Sequence, residues 1–199
     1  MTIYPKRDII VMNKFIKRKE CIPMPKIIEN LRSRLIDEAK HQIEQNGYDS
    51  VTIRSIAREC GIGLGTFYNY FKSKDMLIAT FLLEDWQSRI ANISEKYIDE
   101  RDPMVVVQAL YNEVNDFIRS YYNIFTSPAA IKAFNTSGQG YHKFVREQVA
   151  NPIANSCALA GLDNPEFLAL FVAESVVTWT VAKKDYDEIA AIVKKLFIK

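Results

Sequence analysis

Glycine and proline are scarce in this chain of 199 residues, with seven of each. Long stretches run without either residue, which favours helices over a turn-rich all-β fold. The three cysteines, Cys21, Cys60 and Cys157, are too widely spaced to form a CxxC pair. Their odd number argues against a disulfide framework and fits a reducing compartment, so we expect a cytoplasmic protein.

Hydrophobic runs long enough for a membrane span or a secretory signal are also missing. The longest apolar stretch, Phe167 to Ala173, stops at Glu174, whereas a transmembrane helix needs about 20 apolar residues. The N-terminal apolar run, Ile9 to Met12, is shorter than the roughly 7–15 residues of a signal-peptide core. We therefore expect neither membrane insertion nor secretion.

Sequence cues for catalysis or metal binding are lacking as well. The histidines, His41 and His142, have no cysteine or carboxylate at metal-ligand spacing, so a zinc site is not expected. No G-x-S-x-G elbow marks a nucleophile, and the acidic pairs Glu84-Asp85 and Asp99-Glu100 are typical of solvated helix faces. We predict no catalytic residue, no metal site and no cofactor.

The net charge is only +2, but its distribution is uneven. Residues 1–75 carry 14 Lys and Arg against 9 Asp and Glu, whereas residues 76–199 carry 12 against 15. A basic N-terminal part and a mildly acidic remainder favour a polyanionic partner for the N-terminal part. Random surface charge also produces imbalances of this size, so the asymmetry only supports other evidence.

Helical periodicity sharpens after the first 24 residues. Residues 1–24 combine a basic cluster with proline and no sustained period, so we interpret them as a basic extension that is disordered or loosely packed. From Pro25, apolar residues recur at helical spacing until Asn46-Gly47, which predicts a first helix. Two short helical runs flank the glycines at 61–65, and Ser73 is a candidate N-cap for a long helix.

The remainder of the chain has the same helical spacing. No strand alternation bounded by hairpin signals and no internal repeat is present in the sequence. Helices are predicted from 103 to about 122 and over about 141–159, 164–183 and 185–198, with breaks at Pro128 and at 135–140. The sequence therefore predicts an all-α protein.

The glycine cluster ECGIGLGTFYNYF, residues 59–71, allows two interpretations. A P-loop requires GxxxxGK[ST] and a dinucleotide fingerprint requires GxGxxG, but Thr66 occupies the position of the last glycine in both. Both motifs also follow a buried strand, whereas Ile53, Ile56 and Ala57 are spaced as in a helix. The phosphate-loop interpretation therefore fails.

A helix-turn-helix fits the same residues better. Thr52 is a candidate N-cap for a first helix that ends near Glu59, and Gly61 lies at the turn, where a positive φ costs glycine least. A second helix begins near residue 63. Its inward residues are predicted to be Phe67, Tyr70 and Phe71, and its more outward residues Leu64, Thr66, Tyr68 and Asn69.

The outward face of the second helix is suited to the major groove of DNA. The hydroxyls of Thr66 and Tyr68 can bond phosphates or base edges, and Asn69 can address adenine. Gly63 and Gly65 allow the backbone to come close to a phosphate near the start of the helix. A plain helical hairpin inside a core explains the apolar positions equally well, but it does not explain this polar face.

Residues 47–77, GYDSVTIRSIARECGIGLGTFYNYFKSKDML, resemble the DNA-binding signature of the TetR family of transcriptional regulators. The resemblance covers roughly residues 28–80. It implies three N-terminal helices that bind operator DNA as a dimer, and C-terminal helices that hold a small-molecule pocket and the dimer interface. The matching positions are Gly47-Tyr48, Val51 to Ile53, Ile56-Ala57, Gly61-Ile62, Gly65-Thr66, Tyr68, Tyr70-Phe71, Ser73-Lys74 and Leu77, with Ala39 in the preceding helix.

Carried over by position, the resemblance implies base contacts from Leu64 and Asn69. The chain departs from the family pattern at Gly63, where Ser or Thr is typical, and at Leu64, where Lys is common. These departures remove a hydroxyl and a positive charge, which Arg54, Arg58, Lys72 and the basic N-terminal segment are candidates to supply. The implied DNA-backbone contacts are Thr52, Thr66, Tyr68, Tyr70 and Lys74.

The larger helical part leaves two questions open. The helix over 164–183 is apolar almost all round, so we expect it to be buried on more than one side. Together with the helix over 185–198 it suits either a four-helix dimer interface or the core of a monomer. The many aromatic residues suit either a ligand cavity or a core. The candidate ligand contacts are Trp86, Phe117, Tyr121, Tyr122, Phe125 and Trp179.

We therefore expect a homodimeric repressor that binds palindromic double-stranded operator DNA and is released by a small apolar or aromatic effector. The expected organisation is a basic extension over 1–24, a helix-turn-helix domain over 25–72, and a ligand-binding and dimerisation domain over 73–199. The competing hypothesis is a helical dimeric interaction module that has lost specific DNA reading.

Overall fold

Every regular element of the computed structural model is a helix within the described residues, whose backbone spans 30–137 and 139–198 and whose side chains span 30–134 and 144–198. The all-α prediction is confirmed. The ten α-helices of these ranges are α1 (Leu31–Asn46), α2 (Ile53–Glu59), α3 (Leu64–Tyr70), α4 (Lys74–Lys96), α5 (Pro103–Ser120), α6 (Tyr122–Phe125), α7 (Pro128–Ser137), α8 (Gln139–Leu159), α9 (Pro165–Val181) and α10 (Tyr186–Val193). Short 3-10 helices cover Tyr48–Ser50 and Lys194–Phe197.

All helices from α2 onward belong to one compact unit, Arg32–Lys199. The predicted basic extension over 1–24 lies outside the described residues. The predicted division between a DNA-binding domain and a ligand-binding domain at residue 72 stays a prediction. No helix in the described ranges is both long and apolar enough to cross a membrane.

Local sequence signals set the start of α2 and of α4. The Thr52 hydroxyl accepts a hydrogen bond from the Ser55 N–H (3.0 Å), and the Ser55 hydroxyl accepts one from the Thr52 N–H (3.1 Å), which forms a capping box. At α4 the Ser73 hydroxyl accepts from the Met76 N–H (3.0 Å). Both predicted N-caps are confirmed.

The turn between α2 and α3 depends on Gly61. This residue has a φ of +68°, which glycine adopts without the steric cost of a side chain. The Gly61 N–H donates to the Arg58 carbonyl (3.0 Å) and the Ile62 N–H to the Ala57 carbonyl (2.9 Å). This hydrogen-bond pair is a Schellman motif, which ends α2 and turns the chain toward α3.

The inner face of α3 is only partly as predicted. Phe67 and Phe71 are buried, but Tyr70 is 43% exposed, so its assignment to the core was wrong. Helix α3 ends at Tyr70, and the extended backbone of Phe71 (φ −136°, ψ 128°) directs that ring inward instead. The Tyr70 ring is left at the rim of the helix-turn-helix.

Helices α4, α5, α8, α9 and α10 enclose the larger apolar core. Side chains such as Leu110, Ile153 and Ile189 are fully buried in it. Helix α9 contributes only one face, because Phe167 is 75% exposed and Phe171 54% exposed on the other side. The prediction that this helix is buried on more than one side is therefore wrong for the single chain.

Helix boundaries in the middle of the chain also differ from the prediction. The expected break over 135–140 is helical at 135–137 and at 139–140. The ordinary residues there differ from the best helix formers by at most about 0.7 kcal/mol each, which packing readily overrides. The four-residue helix α6 was not predicted.

Candidate nucleic-acid interface

Helix α3 presents the predicted outward residues to solvent. Leu64 is 38% exposed and Tyr68 46% exposed, and Asn69 is also exposed, whereas Phe67 on the opposite side is completely buried. Thr66 is half-buried. The structure therefore leaves the face that was expected to meet DNA open on this chain.

The seven residues of α3 include no charged side chain. Positive charge beside them comes from the start of α2 and from the segment after α3. Arg54 and Lys72 are exposed and have no ion pair within the described ranges. Arg58 is paired with Glu59 at 2.9 Å, which neutralises part of its charge. Arg54 in the preceding helix and Lys72 just after α3 are thus available as cations on the two sides of the uncharged helix in the sequence.

A shallow groove runs between the start of α2 and the start of α3. Polar and basic side chains of α2 face the apolar Leu64 side chain across it. A groove of this mixed character suits a surface that carries both phosphates and apolar base edges. Its lining residues are Thr52, Arg54, Ser55, Ala57, Arg58, Ile62, Gly63 and Leu64.

Lys74 is directed toward the protein. Its Nζ donates a hydrogen bond to the Tyr48 carbonyl (3.0 Å) and lies 4.0 Å from the centre of the Tyr48 ring. Burial lowers the pKa of the Lys74 ammonium below its ordinary value, and nearby Asp75 and Asp49 act in the opposite direction. The structure thus gives Lys74 a clear role in holding Tyr48, and its contact with DNA stays a prediction.

The Tyr48-Asp49 turn joins the helix-turn-helix to helices further along the chain. The Tyr48 hydroxyl donates to Asp75 at the start of α4, and the Tyr48 ring lies 6.5 Å from that of Phe134 in α7. The Ser127 hydroxyl, just before α7, donates to the Asp49 carboxylate (3.0 Å). Sequence reasoning missed this junction because its partners, such as Tyr48 and Phe134, are up to 86 residues apart and form no motif.

Four of the six candidate ligand residues form one aromatic cluster between α4, α5 and α6. The Phe117 ring centre lies 5.2 Å from that of Trp86, 5.1 Å from that of Tyr121 and 5.8 Å from that of Phe125. Tyr122 is exposed and makes no ring contact with this cluster in the described part of the chain. Trp179 packs against the larger core from α9.

Polar groups converge beside the aromatic cluster. Arg89 donates to Asp85 (2.7 Å) and to Glu113 (2.6 Å). Burial, reinforced by Asp85, raises the pKa of the Tyr121 phenol above its ordinary value. Among the described residues the Trp86 Nε1–H has no hydrogen-bond partner, although the side chain is buried. Buried polar groups usually have a hydrogen-bond partner, so this indole N–H is available to an acceptor.

Metal ligands are not grouped in the described ranges. No set of three His, Cys, Asp or Glu side chains lies close enough to hold an ion there. The site features of this protein are therefore an exposed helix face, a groove and an aromatic cluster.

Comparison with known proteins identifies the same helix-turn-helix. Residues 35–80 match the family model "Bacterial regulatory proteins, tetR family". The transcriptional regulator UidR of Escherichia coli K12 is 33% identical over 64 residues, 32% of this chain and 33% of UidR. The match thus spans about a third of the length of this curated relative. YvdT of Bacillus subtilis, an uncharacterized HTH-type transcriptional regulator, is 24% identical over 148 residues, 71% of this chain and 76% of YvdT.

Solved structures share the fold over most of the chain. A TetR-family regulator from Streptomyces coelicolor superposes with a TM-score of 0.51 at 17% identity, covering 84% of this chain and 95% of that one. RolR, solved with the ligand resorcinol, superposes with a TM-score of 0.53 at 18% identity, covering 85% and 86%. At these identities the likeness is one of fold.

The motif, the exposed face of α3 and the all-helical fold thus agree in their likeness to one family of transcription regulators. Residues 35–80 of this chain are a helix-turn-helix of the TetR family of bacterial regulatory proteins.

Proposed function

We propose that this protein is a repressor that binds a palindromic operator as a homodimer and is released by a small apolar or aromatic effector. The observation that carries the proposal is the solvent-facing side of α3, where Tyr68 and Asn69 are exposed beside the groove that contains Arg54. Two such heads in a dimer would enter successive major grooves, about 34–36 Å apart on the operator.

The apolar face of α9 supports the dimer. Phe167, Leu170, Phe171 and Val181 are all exposed, at 75%, 45%, 54% and 62%. They lie on one side of α9, which also carries Glu174 and Thr178. Exposed apolar side chains grouped on one face mark interaction sites on soluble proteins. A face on a helix that already contributes its other side to the core is suited to isologous pairing with a second copy, which would form a four-helix interface with α10.

The aromatic cluster supports the effector. Phe117 contacts three other rings, and the Trp86 Nε1–H lacks a partner among the described residues. An effector with an aromatic body and one hydrogen-bond acceptor would satisfy both features. RolR binds resorcinol, so this fold accommodates a small aromatic ligand. The candidate contacts Tyr122 and Trp179 lie outside the ring cluster. We include them in the proposal as contacts at the periphery of the effector site.

The Tyr48-Asp49 junction supports communication between effector and DNA. Helix α4 carries Trp86 of the aromatic cluster and also Asp75, which accepts the Tyr48 hydrogen bond. Movement of α4 or of the Ser127 segment would therefore change the position of the helix-turn-helix. An effector acts by its different affinity for the two arrangements of the dimer.

DNA binding is tested by fluorescence anisotropy with a fragment from upstream of the protein's own gene. We expect binding that weakens steeply with salt and exceeds binding to a scrambled fragment. Tyr68→Ala should weaken specific binding at least about tenfold, as expected when a central contact is removed. Ile98→Ala, at an exposed apolar position just beyond the end of α4, should bind as the wild type does.

Two results would contradict this proposal. One is equal affinity for specific and scrambled DNA at every salt concentration. The other is unchanged binding in both Tyr68→Ala and Lys74→Ala, which would favour the competing hypothesis of a helical interaction module. That hypothesis is motivated by Gly63 and Leu64, which leave α3 without a cap hydroxyl and without charge.

Effector binding is tested by tryptophan fluorescence, because Trp86 and Trp179 are the two tryptophans of the chain. In Trp179→Phe the emission comes from Trp86 alone. Titration with resorcinol and related small phenols should change that emission and release the operator fragment. Phe117→Ala should abolish both responses while DNA binding persists. A phenol that releases DNA without changing Trp86 emission would place the effector elsewhere.

A further inference from the structure

Leu64 is the single side chain that protrudes at the start of α3. It is 38% exposed, and the residues on both sides of it are glycines. A Cβ atom added to Gly63 or Gly65 would meet nothing within 4 Å, and neither glycine has a positive φ. Neither packing nor backbone conformation in this chain therefore requires glycine there. The Gly-Leu-Gly arrangement leaves the leucine side chain unshielded from an approaching surface.

The chemistry available on α3 excludes one common mode of base recognition. Guanine is most often recognised by an Arg or Lys that bonds its O6 and N7 atoms. Helix α3 has no cation, and its first residue, Leu64, lines the groove between the start of α2 and the start of α3. An apolar side chain placed against guanine, adenine or cytosine would cover polar groups without bonding them, which is unfavourable.

We propose that Leu64 contacts the C5-methyl group of a thymine in the major groove, so that each operator half-site carries an A·T pair opposite the start of α3. Thymine is the one base whose major-groove edge offers an apolar group. The assignment rests on the proposed DNA-binding function and adds the kind of base pair that the helix recognises. Gly63 and Gly65 assist by letting the backbone follow the DNA closely enough for a leucine to reach the methyl group.

The experiment begins with selection of binding sites from a randomised DNA library by the full-length protein. Each thymine of the selected half-site is then replaced in turn by deoxyuridine, which lacks only the methyl group. We expect one thymine per half-site whose replacement weakens wild-type binding roughly fourfold, since burial of one methyl group contributes about 0.8 kcal/mol. The readout is anisotropy at fixed salt.

Two variants assign that effect to Leu64. Leu64→Ala should bind the thymine and deoxyuridine sites equally. Leu64→Lys should shift the selected base at that position toward guanine. Val105→Ala, at a position on α5 that is also 38% exposed, should keep the fourfold discrimination. Circular dichroism melting of each variant verifies that it is folded, which is expected because the Leu64 side chain lies at the surface.

Three results would overturn the assignment. The first is a selected half-site in which every deoxyuridine replacement is neutral, and the second is a discrimination that persists unchanged in Leu64→Ala. The third is a site selected by the wild type that already carries a G·C pair at the position where Leu64→Lys changes the selected base. Failure of the library to enrich any sequence would instead refute the DNA-binding function itself, and the thymine contact with it. Enrichment of a half-site without methyl discrimination would refute the contact alone.

Discussion

The start of α3 and the outer face of α9 both expose large apolar side chains, but their surroundings are opposite. Leu64 stands between two glycines on α3, whose other exposed side chains, Tyr68, Asn69 and Tyr70, each carry a hydroxyl or an amide group. On α9, Phe167, Leu170 and Phe171 form a continuous exposed apolar patch in the N-terminal half of the helix, opposite the side that packs on the core. An isolated apolar group in a polar surface suits a mostly polar partner such as DNA, whereas a continuous face suits another apolar face.

The helix-turn-helix and the larger helical part also differ in how their cations are paired. In the larger helical part, Arg89 bonds Asp85 and Glu113, and Lys184 bonds Glu188 at 3.2 Å. In the helix-turn-helix, Arg54 and Lys72 have no ion pair among the described residues. Unpaired cations are available to phosphates. The excess of positive charge in residues 1–75 therefore supports DNA binding only once the structure shows which cations are unpaired.

The largest expected effect comes from placing a charge on the exposed side of α9, which removes its apolar character. Phe171→Asp should convert the dimer to a monomer and weaken operator binding more than about 100-fold, because a carboxylate in each copy would have to be buried in the interface. Light scattering after size-exclusion chromatography measures the mass, and anisotropy measures the affinity.

Ile98→Asp is the control for that change, because Ile98 is 57% exposed and belongs to the segment after α4, not to α9. It should remain dimeric and bind DNA normally. A dimeric Phe171→Asp with wild-type affinity would show that the α9 face is not the interface.

The second prediction sharpens the difference in charge. Arg54→Ala should weaken operator binding roughly tenfold at low salt, and should reduce the slope of log K against log [salt] by about 2, since each lost phosphate contact changes it by about 0.9 and a dimer loses two. Arg119→Ala, an exposed arginine on α5, should leave the slope unchanged. Equal slopes for Arg54→Ala and wild type would exclude Arg54 as a phosphate contact.

The third prediction concerns the Tyr48-Asp49 junction, which joins the helix-turn-helix to helices further along the chain. Ser127→Ala removes the donor to Asp49 and the acceptor of the Ala130 N–H. The free energy of unfolding should fall by about 1–2 kcal/mol, because the buried Ala130 N–H loses its acceptor and the Asp49 carboxylate loses a donor. Urea denaturation measures the change.

Ser94→Ala is the matched control for the junction. The Ser94 hydroxyl bonds only the Ile90 carbonyl within α4, so its loss should change stability by less than about 0.5 kcal/mol. If both variants are equally stable, the Asp49–Ser127 hydrogen bond does not join the regions energetically.

The smallest expected effect is a pH dependence that belongs to the larger core. Burial raises the pKa of the Cys157 thiol to about 11. The folded protein therefore keeps a proton that the unfolded chain, with a thiol pKa near 8.5–9, releases. The corresponding stability is present below about pH 9 and is lost as the pH rises toward 11.

Cys157→Ala isolates this contribution, because other groups titrate in the same interval. The difference in unfolding free energy between wild type and Cys157→Ala should decrease steadily from pH 9 to pH 11. Two parallel pH profiles would show that the thiol does not titrate differently in the folded state.

Neighbouring residues determined the helix-turn-helix, and the sequence predicted most of it. The cap at Thr52, the positive φ at Gly61 and the burial of Phe67 each follow from chemistry within a few positions. The resemblance of residues 47–77 to a known signature added the family. Tyr70 was misassigned because the direction of its ring depends on where α3 ends, which periodicity alone does not locate.

Contacts between distant segments decided the rest of the molecule. The sequence determined that the C-terminal part is helical and apolar, but apolar spacing is the same in a core, a ligand site and an interface. Only the tertiary structure separated the exposed face of α9 from its buried face, gathered Trp86 and Phe117 into one cluster, and turned Lys74 toward Tyr48. The physical reason is that burial is a property of what packs against a residue, and those partners lie far along the chain.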